Sequence, residues 1–511
     1  MVIDMSNIKI NKLWLWVLVA LLASFILVIS FVRIYAPEKI GEDALTSEFI
    51  VHLDNRISTL MEAYEIPGVS IALIKGGNTI WTKAYGYANL KNDRVMTTDT
   101  QFRVQSISKP ITAWGVMKLA ERGLIDLDKP VVSYITNWEF PPSSYQTENI
   151  TIRQLLSHTS GMPLGDVLTI YSPRGKMPSL EDNLTEEAVL LNEPGTKFCY
   201  SNTGYNLLEL LIEEVTGRDF AEYMENEILY PLGMQTASFN WRPDLTVPVG
   251  YGLEGQAVPP YVCPAKASGG LFASVGDIAA FARGGMNHQQ QQILGAESIK
   301  ELYTPISTEL GFYSLVFDGY GLGYYVEYLP GNHMAVSHGG QGTGIMTHLH
   351  YVPDTGDGIV ILTNSQRSWP FIAYILSDWA QWSGYNSVGM SAIIAGKYVL
   401  CSFIGLLWLF ILIQIMQLTG VFARKTRRFA PLAKQSRMLR GLLFVCFAFL
   451  TGGLIWWKCQ DYSFISSVFP IMSGWLGLSL SALAVILLLL ALFPIYQGDG
   501  SHDISRSDVI Q

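Results

Sequence analysis

Hydrophobic and polar residues follow two different patterns along this chain. Between residues 45 and 385, apolar positions either alternate with polar ones or recur at helical spacing, whereas four other segments are apolar throughout. The alternating stretches lie near both ends of the 45–385 region, and most of the helical patterns lie between them. This order predicts an α+β fold, in which both ends of the region form one antiparallel sheet beside a helical lobe.

Turn residues bound the predicted strands. GVSIALIKGGNTIWTKAYGYAN, which begins at Gly68, predicts two strands around a turn at 75–78. MAVSHGGQGTGIMTHLHYVPDTGDGIVILTN, which begins at Met334, predicts three more, the last of them after a turn at 354–358. Six ranges have apolar residues at helical spacing and are predicted helices: 111–122, 152–156, 205–216, 220–229, 275–282 and 369–382. A cleft between sheet and lobe is the expected place for a functional site.

The four apolar segments are each long enough to cross a bilayer. They cover residues 13–32, 398–422, 441–457 and 468–496. The first follows Lys9 and Lys12, so it is either a retained N-terminal transmembrane anchor or a cleaved signal peptide. Either one exports the region that follows it.

Basic residues predict the orientation of these segments. The loop 423–440 carries seven Lys and Arg residues and neither Asp nor Glu. By the positive-inside rule this loop is cytoplasmic, and so are the tails 1–12 and 497–511. We therefore predict a multi-pass protein of the inner (cytoplasmic) membrane whose 45–385 domain is periplasmic or extracellular.

Charge limits the partners of the exported domain. From Glu38 to Asp378 the chain has 38 Asp and Glu against 21 Lys and Arg, a net charge near −17. Such a surface repels polyphosphates, so no nucleic-acid partner is expected, and the lipid bilayer and a small substrate remain. The sequence does not indicate an oligomeric state. Only Cys199 and Cys263 of the five cysteines lie in this domain, so no disulfide framework is predicted.

The first candidate for chemistry is VQSISKPI at residues 104–111. Ser106 precedes Lys109 by three residues, and Pro110 fits only the first turn of a helix, so both side chains are predicted on one face at a helix N-terminus. A buried lysine with a lowered pKa can accept the proton of a serine nucleophile. A capping serine followed by a solvated lysine is the alternative. Ser6 precedes Lys9 with the same spacing, so spacing alone is not specific.

A second candidate is Tyr200-Ser201-Asn202, between a Pro-Gly turn and a predicted helix. Placed beside Ser106 and Lys109, the Tyr200 phenol is expected to act as a general base, with the ammonium lowering its pKa. Asn202 is expected to hold a substrate amide. The alternative for Tyr200 is a packed ring with its hydroxyl in water.

The third candidate is His338-Gly339-Gly340, in VSHGGQGTG on a predicted strand. Two glycines in a strand indicate either close approach of another backbone, such as an extended substrate, or a β-bulge. The backbone N–H of Gln341 is predicted to pair with that of Ser106 as an oxyanion hole.

In this order, the three motifs resemble the serine β-lactamase and penicillin-binding-protein superfamily, specifically its class C-like peptidase and esterase branch. The resemblance covers about residues 45–385 and includes LLSHTSGMP at 155–163 and ASGGLFASVGDIAAFAR at 267–283. It implies a class C β-lactamase-like fold followed by three C-terminal transmembrane helices. It also implies an acyl-enzyme in which Ser106 attacks a carbonyl, Lys109 and Tyr200 move the proton, and water releases the acyl group.

Neither a cofactor nor a metal is expected for this chemistry. His348 and His350 alternate on a predicted strand, but they have no acidic or cysteine neighbours in the sequence that would complete a metal site. His158, in the LLSHTSGMP stretch, is predicted to be structural rather than catalytic.

One departure from the family bears on the substrate. β-Lactamases usually carry Lys-Thr-Gly where this chain has His338-Gly339-Gly340, so the cation and hydroxyl that hold a substrate carboxylate are missing. This counts against an efficient β-lactamase or a cell-wall carboxypeptidase. An exported domain followed by three spans resembles the D-asparagine-specific prodrug peptidases, including the colibactin-maturing enzyme, and equally penicillin-binding-protein-like membrane proteins. The stretch 341–344 lacks the asparagine associated with D-asparagine recognition.

We therefore predict a membrane-bound serine peptidase or amidohydrolase that acts on a small peptide or acyl amide. The expected substrates are a prodrug-type N-acyl-D-amino acid or a D-amino-acid peptide bond. An esterase or weak β-lactamase of the same fold is one alternative, and a non-enzymatic penicillin-binding-protein-like membrane protein is the other. The loops 165–187 and 251–266 are expected to set specificity.

Overall fold

The computed structural model describes residues 40–41, 44–286, 293–423, 427, 429–431, 437–460 and 464–494. The predicted segment 13–32, the tails 1–12 and 497–511, and most of the loop 423–440 lie outside the described residues. The chain separates into two units. The larger holds Pro37–Ala395 and Ser467–Pro470, and the smaller includes Gly396–Ser466 and the residues from Ile471 onward.

The strands of the larger unit build one large sheet and two small ladders. In chain order the described strands are β1 (Gly68–Lys75), β2 (Asn78–Asn89), β3 (Arg94–Val95), β4 (Phe102–Arg103), β5 (Gly250–Tyr251), β6 (Ala257–Val258), β7 (Phe272–Ala273), β8 (Gly319–Tyr320), β9 (Tyr325–Leu329), β10 (His333–Gly342), β11 (Ile345–Val352) and β12 (Asp357–Thr363). The large sheet has the order β3-β2-β1-β12-β11-β10-β9-β8, and β4 pairs with β7 and β5 with β6.

The two ends of the domain meet in the middle of the large sheet. Strand β1 pairs antiparallel with β12, with Val69 opposite Thr363 and Ile74 opposite Gly358. Both strands are buried almost throughout, as central strands covered on both faces are. The predicted α+β fold, with a sheet closed by both ends of the domain, is therefore confirmed.

Helices cover both faces of the sheet. In chain order they are α1 (Thr46–Tyr64), α2 (Ser108–Glu121), α3 (Ile152–Leu156), α4 (Leu180–Glu187), α5 (Asn202–Thr216), α6 (Phe220–Met224), α7 (Val275–Gly284), α8 (Ala296–Tyr303) and α9 (Trp369–Trp382). The six predicted helical ranges correspond to α2, α3, α5, α6 with the π turn Glu225–Leu229 that follows it, α7 and α9. Helices α1, α4 and α8 were not predicted, although Phe49, Leu53, Ile57 and Leu60 of α1 are buried at helical spacing.

Strand β11 shows how the two faces differ. Leu349 and Tyr351 belong to the core beneath the helical lobe, whereas His350, on the opposite face, contacts Trp379 of α9 at 5.3 Å between ring centroids. Helices α9 and α1 pack together on that second face, where Phe49 stacks on Trp382 at 4.3 Å. The lobe face is the one that holds the candidate site.

The smaller unit contains long apolar helices. After α10 (Ser391–Ala423) come α11 (Arg437–Lys458), the short α12 (Phe464–Val468) and α13 (Pro470–Leu492). Helices α10, α11 and α13 are long and apolar enough to cross a membrane. The predicted spans 398–422, 441–457 and 468–496 fall on these three helices, and α10 begins seven residues before the predicted start. The length and composition of these helices are consistent with a membrane protein.

Candidate active site

Ser106 lies in a tight turn between strand β4 and helix α2. Gln105–Ile107 form one 3₁₀ turn that continues into α2 at Ser108, so the helix begins three residues earlier than predicted. Gln105 has a φ of +55°, a left-handed conformation that is strained for a residue with a side chain. Lys109 Nζ lies 3.1 Å from Ser106 Oγ. The predicted pair is brought together within one turn of backbone.

Lys109 is buried among neutral groups. Its Nζ lies 2.6 Å from Asn202 Oδ1 and 2.7 Å from the carbonyl oxygen of Ser268. The same atom lies 4.9 Å from the centre of the Tyr200 ring and 5.5 Å from that of Tyr205. Among the described residues, no Asp or Glu is within ion-pair distance of this nitrogen. The amine therefore has hydrogen-bond partners but no counter-charge.

Burial sets the protonation state of Lys109. Removal from water lowers the pKa of its amine well below the ordinary value, since the charged form is the one that loses hydration. In the neutral amine, two N–H groups donate to Asn202 and Ser268, and the lone pair is left for the Ser106 hydroxyl. Lys109 is thereby poised to take the proton of Ser106.

Tyr200 reaches the same place from the N-terminal side of α5. Its ring packs 4.3 Å from the His158 ring and 5.9 Å from the Tyr313 ring. Burial raises the pKa of its phenol well above the ordinary value, and a hydrogen bond with Ser106 offsets only part of that effect. The prediction that Lys109 lowers this pKa is therefore wrong, because desolvation dominates. Tyr200 is a protonated phenol that can pass a proton, rather than an ionised base.

Strand β10 carries His338, Gly339, Gly340 and Gln341 alongside the Ser106 turn. Its pairing with β11 is regular through this stretch, so the glycines do not form a β-bulge. A Cβ added to Gly340 would collide with the carbonyl oxygen of Val104 and lie 3.0 Å from the Cβ of Gln105. The predicted close approach of another backbone is present, and the backbone is that of the nucleophile turn.

Gly339 faces the other side of the sheet. A Cβ added there would lie 2.9 Å from the Trp369 ring and 3.4 Å from His348 Nδ1. Trp369 is held in place because its Nε1 donates to Gln341 Oε1 at 3.1 Å. A side chain at position 339 would therefore need the Trp369 ring to move.

The cleft beside Ser106 is lined by both residues predicted for the oxyanion hole and by Asn202, whereas the predicted substrate-contact stretch 338–340 is not part of its lining. It has a volume of about 100 Å³, and Ser106, Asn202 and Gln341 all line it. The backbone N–H groups of Ser106 and Gln341 thus belong to residues on the wall of one cleft. Asn202 shares that wall, although its Oδ1 is already engaged by Lys109.

His338 supplies no positive charge to the cleft. Its Nδ1 donates to the carbonyl oxygen of Gly339 at 2.8 Å, and its Nε2 accepts from the Tyr320 hydroxyl at 3.4 Å. Burial lowers the pKa of His338 to about 3. The imidazole is neutral at physiological pH, so the strand lacks the cation of the usual Lys-Thr-Gly.

Two contributors were missed by sequence reasoning, Ser268 and Arg103. Ser268 lies in the ASGGLF stretch that had been singled out, but it acts through its carbonyl oxygen, which leaves no side-chain signal. Arg103 is buried and donates from Nε to the carbonyl oxygen of Gly269 at 2.9 Å, with its guanidinium 4.7 Å from the Tyr261 ring. Its position three residues before Ser106 was the only available signal.

The two loops expected to set specificity both reach the cleft. Ile170 and Tyr171 from one, and Tyr261 from the other, contribute to its lining. Tyr171 and Val262 exchange two backbone hydrogen bonds, of 3.0 Å and 2.9 Å, which join the loops to each other. The rim of the cleft is therefore built by these loops together.

His348 and His350 are buried on the sheet face away from the cleft, with ring centroids 6.0 Å apart. In the part of the chain that the structure describes, no group of three or more His, Cys, Asp and Glu side chains is placed to hold a metal ion. Burial lowers the pKa of both imidazoles, which pack as neutral rings.

Comparison of the sequence with known families and proteins reveals several relatives. A family sequence model described as Beta-lactamase matches residues 53–374. Protein flp of Staphylococcus aureus strain MRSA252 is 32% identical over 217 residues, which cover 41% of this chain and 43% of that protein. Penicillin-binding protein 4* of Bacillus subtilis strain 168 is 26% identical over 350 residues, which cover 64% of this chain and 74% of that protein. The match to Protein flp thus spans less than half the length of either chain.

Solved structures agree on the fold. SurE with D-Leu superposes with a TM-score of 0.54 and 25% identity, covering 66% of this chain and 76% of that one. A class C β-lactamase superposes with a TM-score of 0.55 and 19% identity, covering 66% of this chain and 97% of that one. The predicted class C β-lactamase-like fold is confirmed.

Proposed function

This chain belongs to the β-lactamase family, and from that premise we propose that it is a membrane-bound serine peptidase or amidohydrolase that forms an acyl-enzyme on Ser106. One observation carries the proposal. Lys109 is buried with neutral partners and its Nζ is 3.1 Å from Ser106 Oγ, so a neutral base adjoins a hydroxyl that is exposed to the cleft.

In the proposed acylation step, Ser106, Lys109, Tyr200 and the two backbone N–H groups each have one role. Ser106 Oγ attacks the scissile carbonyl carbon while its proton passes to Lys109 Nζ. The N–H groups of Ser106 and Gln341 stabilise the oxyanion that forms. The proton then moves through the Tyr200 hydroxyl to the leaving nitrogen, the C–N bond breaks, and the amine departs. An ester between the acyl group and Ser106 remains.

Deacylation reverses the proton path. Water attacks the ester carbonyl and gives a proton to Lys109, and the same two N–H groups hold the second oxyanion. The C–O bond to Ser106 breaks, Ser106 recovers its proton, and the carboxylic acid leaves. The site returns to its starting state with neutral Lys109.

We assign the substrate to a small peptide or acyl amide with a D-amino acid at the scissile bond. SurE, which matches at 25% identity, has been solved with D-Leu. The neutral His338 argues against tight binding of a substrate carboxylate, which disfavours β-lactams and favours uncharged amides such as an N-acyl-D-aminoacyl cap. The three long apolar helices and the basic loop support a location of this reaction outside the cytoplasmic membrane.

The test is hydrolysis of matched N-acyl-D- and N-acyl-L-amino-acid amides, including asparagine and alanine, followed by mass spectrometry. Membranes carrying the wild type are compared with membranes carrying Ser106→Ala. We expect cleavage of a D-configured amide that falls by at least about 10³-fold in Ser106→Ala. Ser6→Ala is the matched control, because Ser6 has the same spacing to a lysine, and it should behave as the wild type.

The other outcomes each point to a different function. Ser106-dependent cleavage of matched esters without amide cleavage would identify an esterase. Cleavage of D-alanyl substrates alone would point to cell-wall peptides. Full activity in Ser106→Ala would exclude the mechanism, and absence of both hydrolysis and labelling of Ser106 by a fluorophosphonate would favour a non-enzymatic protein.

A further inference from the structure

His158 holds the backbone on both sides of Tyr200. Its carbonyl oxygen accepts a hydrogen bond from the N–H of Cys199 at 2.7 Å, and its ring Nδ1 accepts one from the N–H of Ser201 at 3.2 Å. One residue thus binds the neighbours that precede and follow Tyr200. Tyr200 is the residue whose hydroxyl must stay next to Ser106.

The conformation of His158 is what allows both contacts. Its φ is +58°, in the left-handed region that residues with a side chain seldom adopt. In this conformation the carbonyl oxygen and the ring of the same residue both accept hydrogen bonds from one segment, 199–201. Such a strained backbone conformation persists only where surrounding contacts impose it.

The ring of His158 is also packed against Tyr200. The two ring centroids are 4.3 Å apart, and the rings of Tyr205, Tyr320 and Phe198 enclose the imidazole at 5.2, 4.9 and 5.9 Å. The side chain is completely buried. Burial lowers the pKa of His158 well below its ordinary value, so the ring stays neutral and Nδ1 stays an acceptor.

We infer that His158 is a positioning residue for Tyr200, fixing its hydroxyl for proton transfer through the two backbone hydrogen bonds and the ring contact. The inference rests on the proposed function, because it assigns to Tyr200 a proton-transfer step of that reaction. His158 acts through Tyr200 and is not itself a catalytic residue.

Two substitutions separate the Nδ1 acceptor from the backbone conformation. Asparagine and glycine both tolerate a positive φ, but only asparagine places an oxygen near the position of Nδ1. In the full-length protein, we expect His158→Asn to keep kcat within about threefold of the wild type. His158→Gly should lower kcat by about 100-fold with little change in KM, because a positioned proton transfer contributes about 10²–10⁴-fold.

A control for local stability comes from the same turn. Ser157 is buried, and its hydroxyl donates to the carbonyl oxygen of Arg153 at 2.8 Å, away from Tyr200. Ser157→Ala should lower the Tm without lowering kcat. If His158 served stability alone, His158→Gly and Ser157→Ala would both lower the Tm and leave kcat unchanged, which would overturn the inference.

A second measurement does not depend on turnover. Fluorotyrosine at position 200 is observed by ¹⁹F NMR in the detergent-solubilised protein, with His158 as wild type, Asn or Gly. We expect one narrow resonance at the same shift for the wild type and His158→Asn, and a displaced or broadened resonance for His158→Gly. Identical resonances in all three proteins would overturn the inference even if hydrolysis were found. Absence of Ser106-dependent hydrolysis together with the expected ¹⁹F difference would remove the proposed function and retain the positioning.

Discussion

Lys109 and Arg56 are two basic side chains buried in the same domain, and their surroundings differ. Arg56 of α1 donates to Asp378 of α9 at 3.2 Å, and His52 Nε2 lies 3.0 Å from the same carboxylate oxygen. Asp378 is fully buried, so the pair joins the two helices on the back of the sheet. Lys109, on the lobe side, has Asn202, Ser268 and Ser106 as its polar partners among the described residues.

The comparison distinguishes a buried charged residue that stabilises the fold from a buried basic residue that acts as a base. A buried ion pair recovers part of its desolvation cost through the partner charge, and so it keeps both charges. A buried lysine without such a partner avoids the cost by losing its proton. The presence or absence of one carboxylate therefore decides whether a buried basic residue fastens helices or serves as a base.

The largest effect is expected for Lys109→Met, which removes the base and keeps an apolar chain of similar length. Hydrolysis should fall by about 10³-fold or more, because no other base adjoins Ser106. The Tm should fall much less than in a variant that breaks the Arg56 pair. Rates on the preferred substrate and the Tm of the same preparations test this. Lys9→Met is the matched control and should retain wild-type rates. Retained activity in Lys109→Met would show that Lys109 is not the base and would contradict the contrast between Lys109 and Arg56.

Asp378→Asn should lower the stability and leave the activity unchanged, the opposite of what is expected for Lys109→Met. It leaves the Arg56 guanidinium buried without its carboxylate, so the free energy of unfolding is expected to fall by about 3 kcal/mol. The kcat of the folded enzyme should not change, because Asp378 is on the sheet face away from the cleft. Denaturant unfolding and kcat at a temperature where the variant is folded check the two parts. A large loss of kcat at unchanged stability would contradict the comparison.

Asn202→Asp gives Lys109 a carboxylate partner, as Arg56 has in Asp378. Of the three changes it has the smallest expected effect. A carboxylate 2.6 Å from Lys109 Nζ favours the ammonium and raises the pKa of Lys109. Because Lys109 acts as a base only when deprotonated, the acid limb of the kcat/KM profile should move to higher pH. Activity at pH 7 should fall by about tenfold and recover as the pH rises through the new pKa. Loss of activity at every pH would instead indicate that Asn202 is needed as an amide, and Asn202→Ala would show the same flat loss.

The fold was predictable because its signals are local. The strands around the turns at 75–78 and 354–358 alternate and end in turn residues, and β1 and β12 lie where both ends of the domain were expected to meet. Helix α1 was not predicted, although its buried Phe49 and Leu53 have helical spacing.

Within the site, the sequence motifs indicated Ser106, Lys109 and Tyr200 but not their protonation states. The state of Lys109 depends on Asn202 and on the Ser268 carbonyl, which are 93 and 159 residues away along the chain. The direction of the Tyr200 pKa shift depends on burial among aromatic rings from several elements. The protonation state of Lys109 and the pKa shift of Tyr200 both depend on tertiary packing, which cannot be read from a single sequence.

The contact between Gly339 and Trp369 has a consequence for which side chains position 339 can accept. Gaining the threonine of the usual Lys-Thr-Gly requires a Cβ that would lie 2.9 Å from the Trp369 ring, and that ring is tethered to Gln341. A side chain at position 339 would therefore contact Trp369 on the sheet face away from the cleft. We therefore expect threonine at 339 to be accommodated only together with a smaller residue at 369, so Gly339→Thr with Trp369→Ala should have a higher Tm than Gly339→Thr alone.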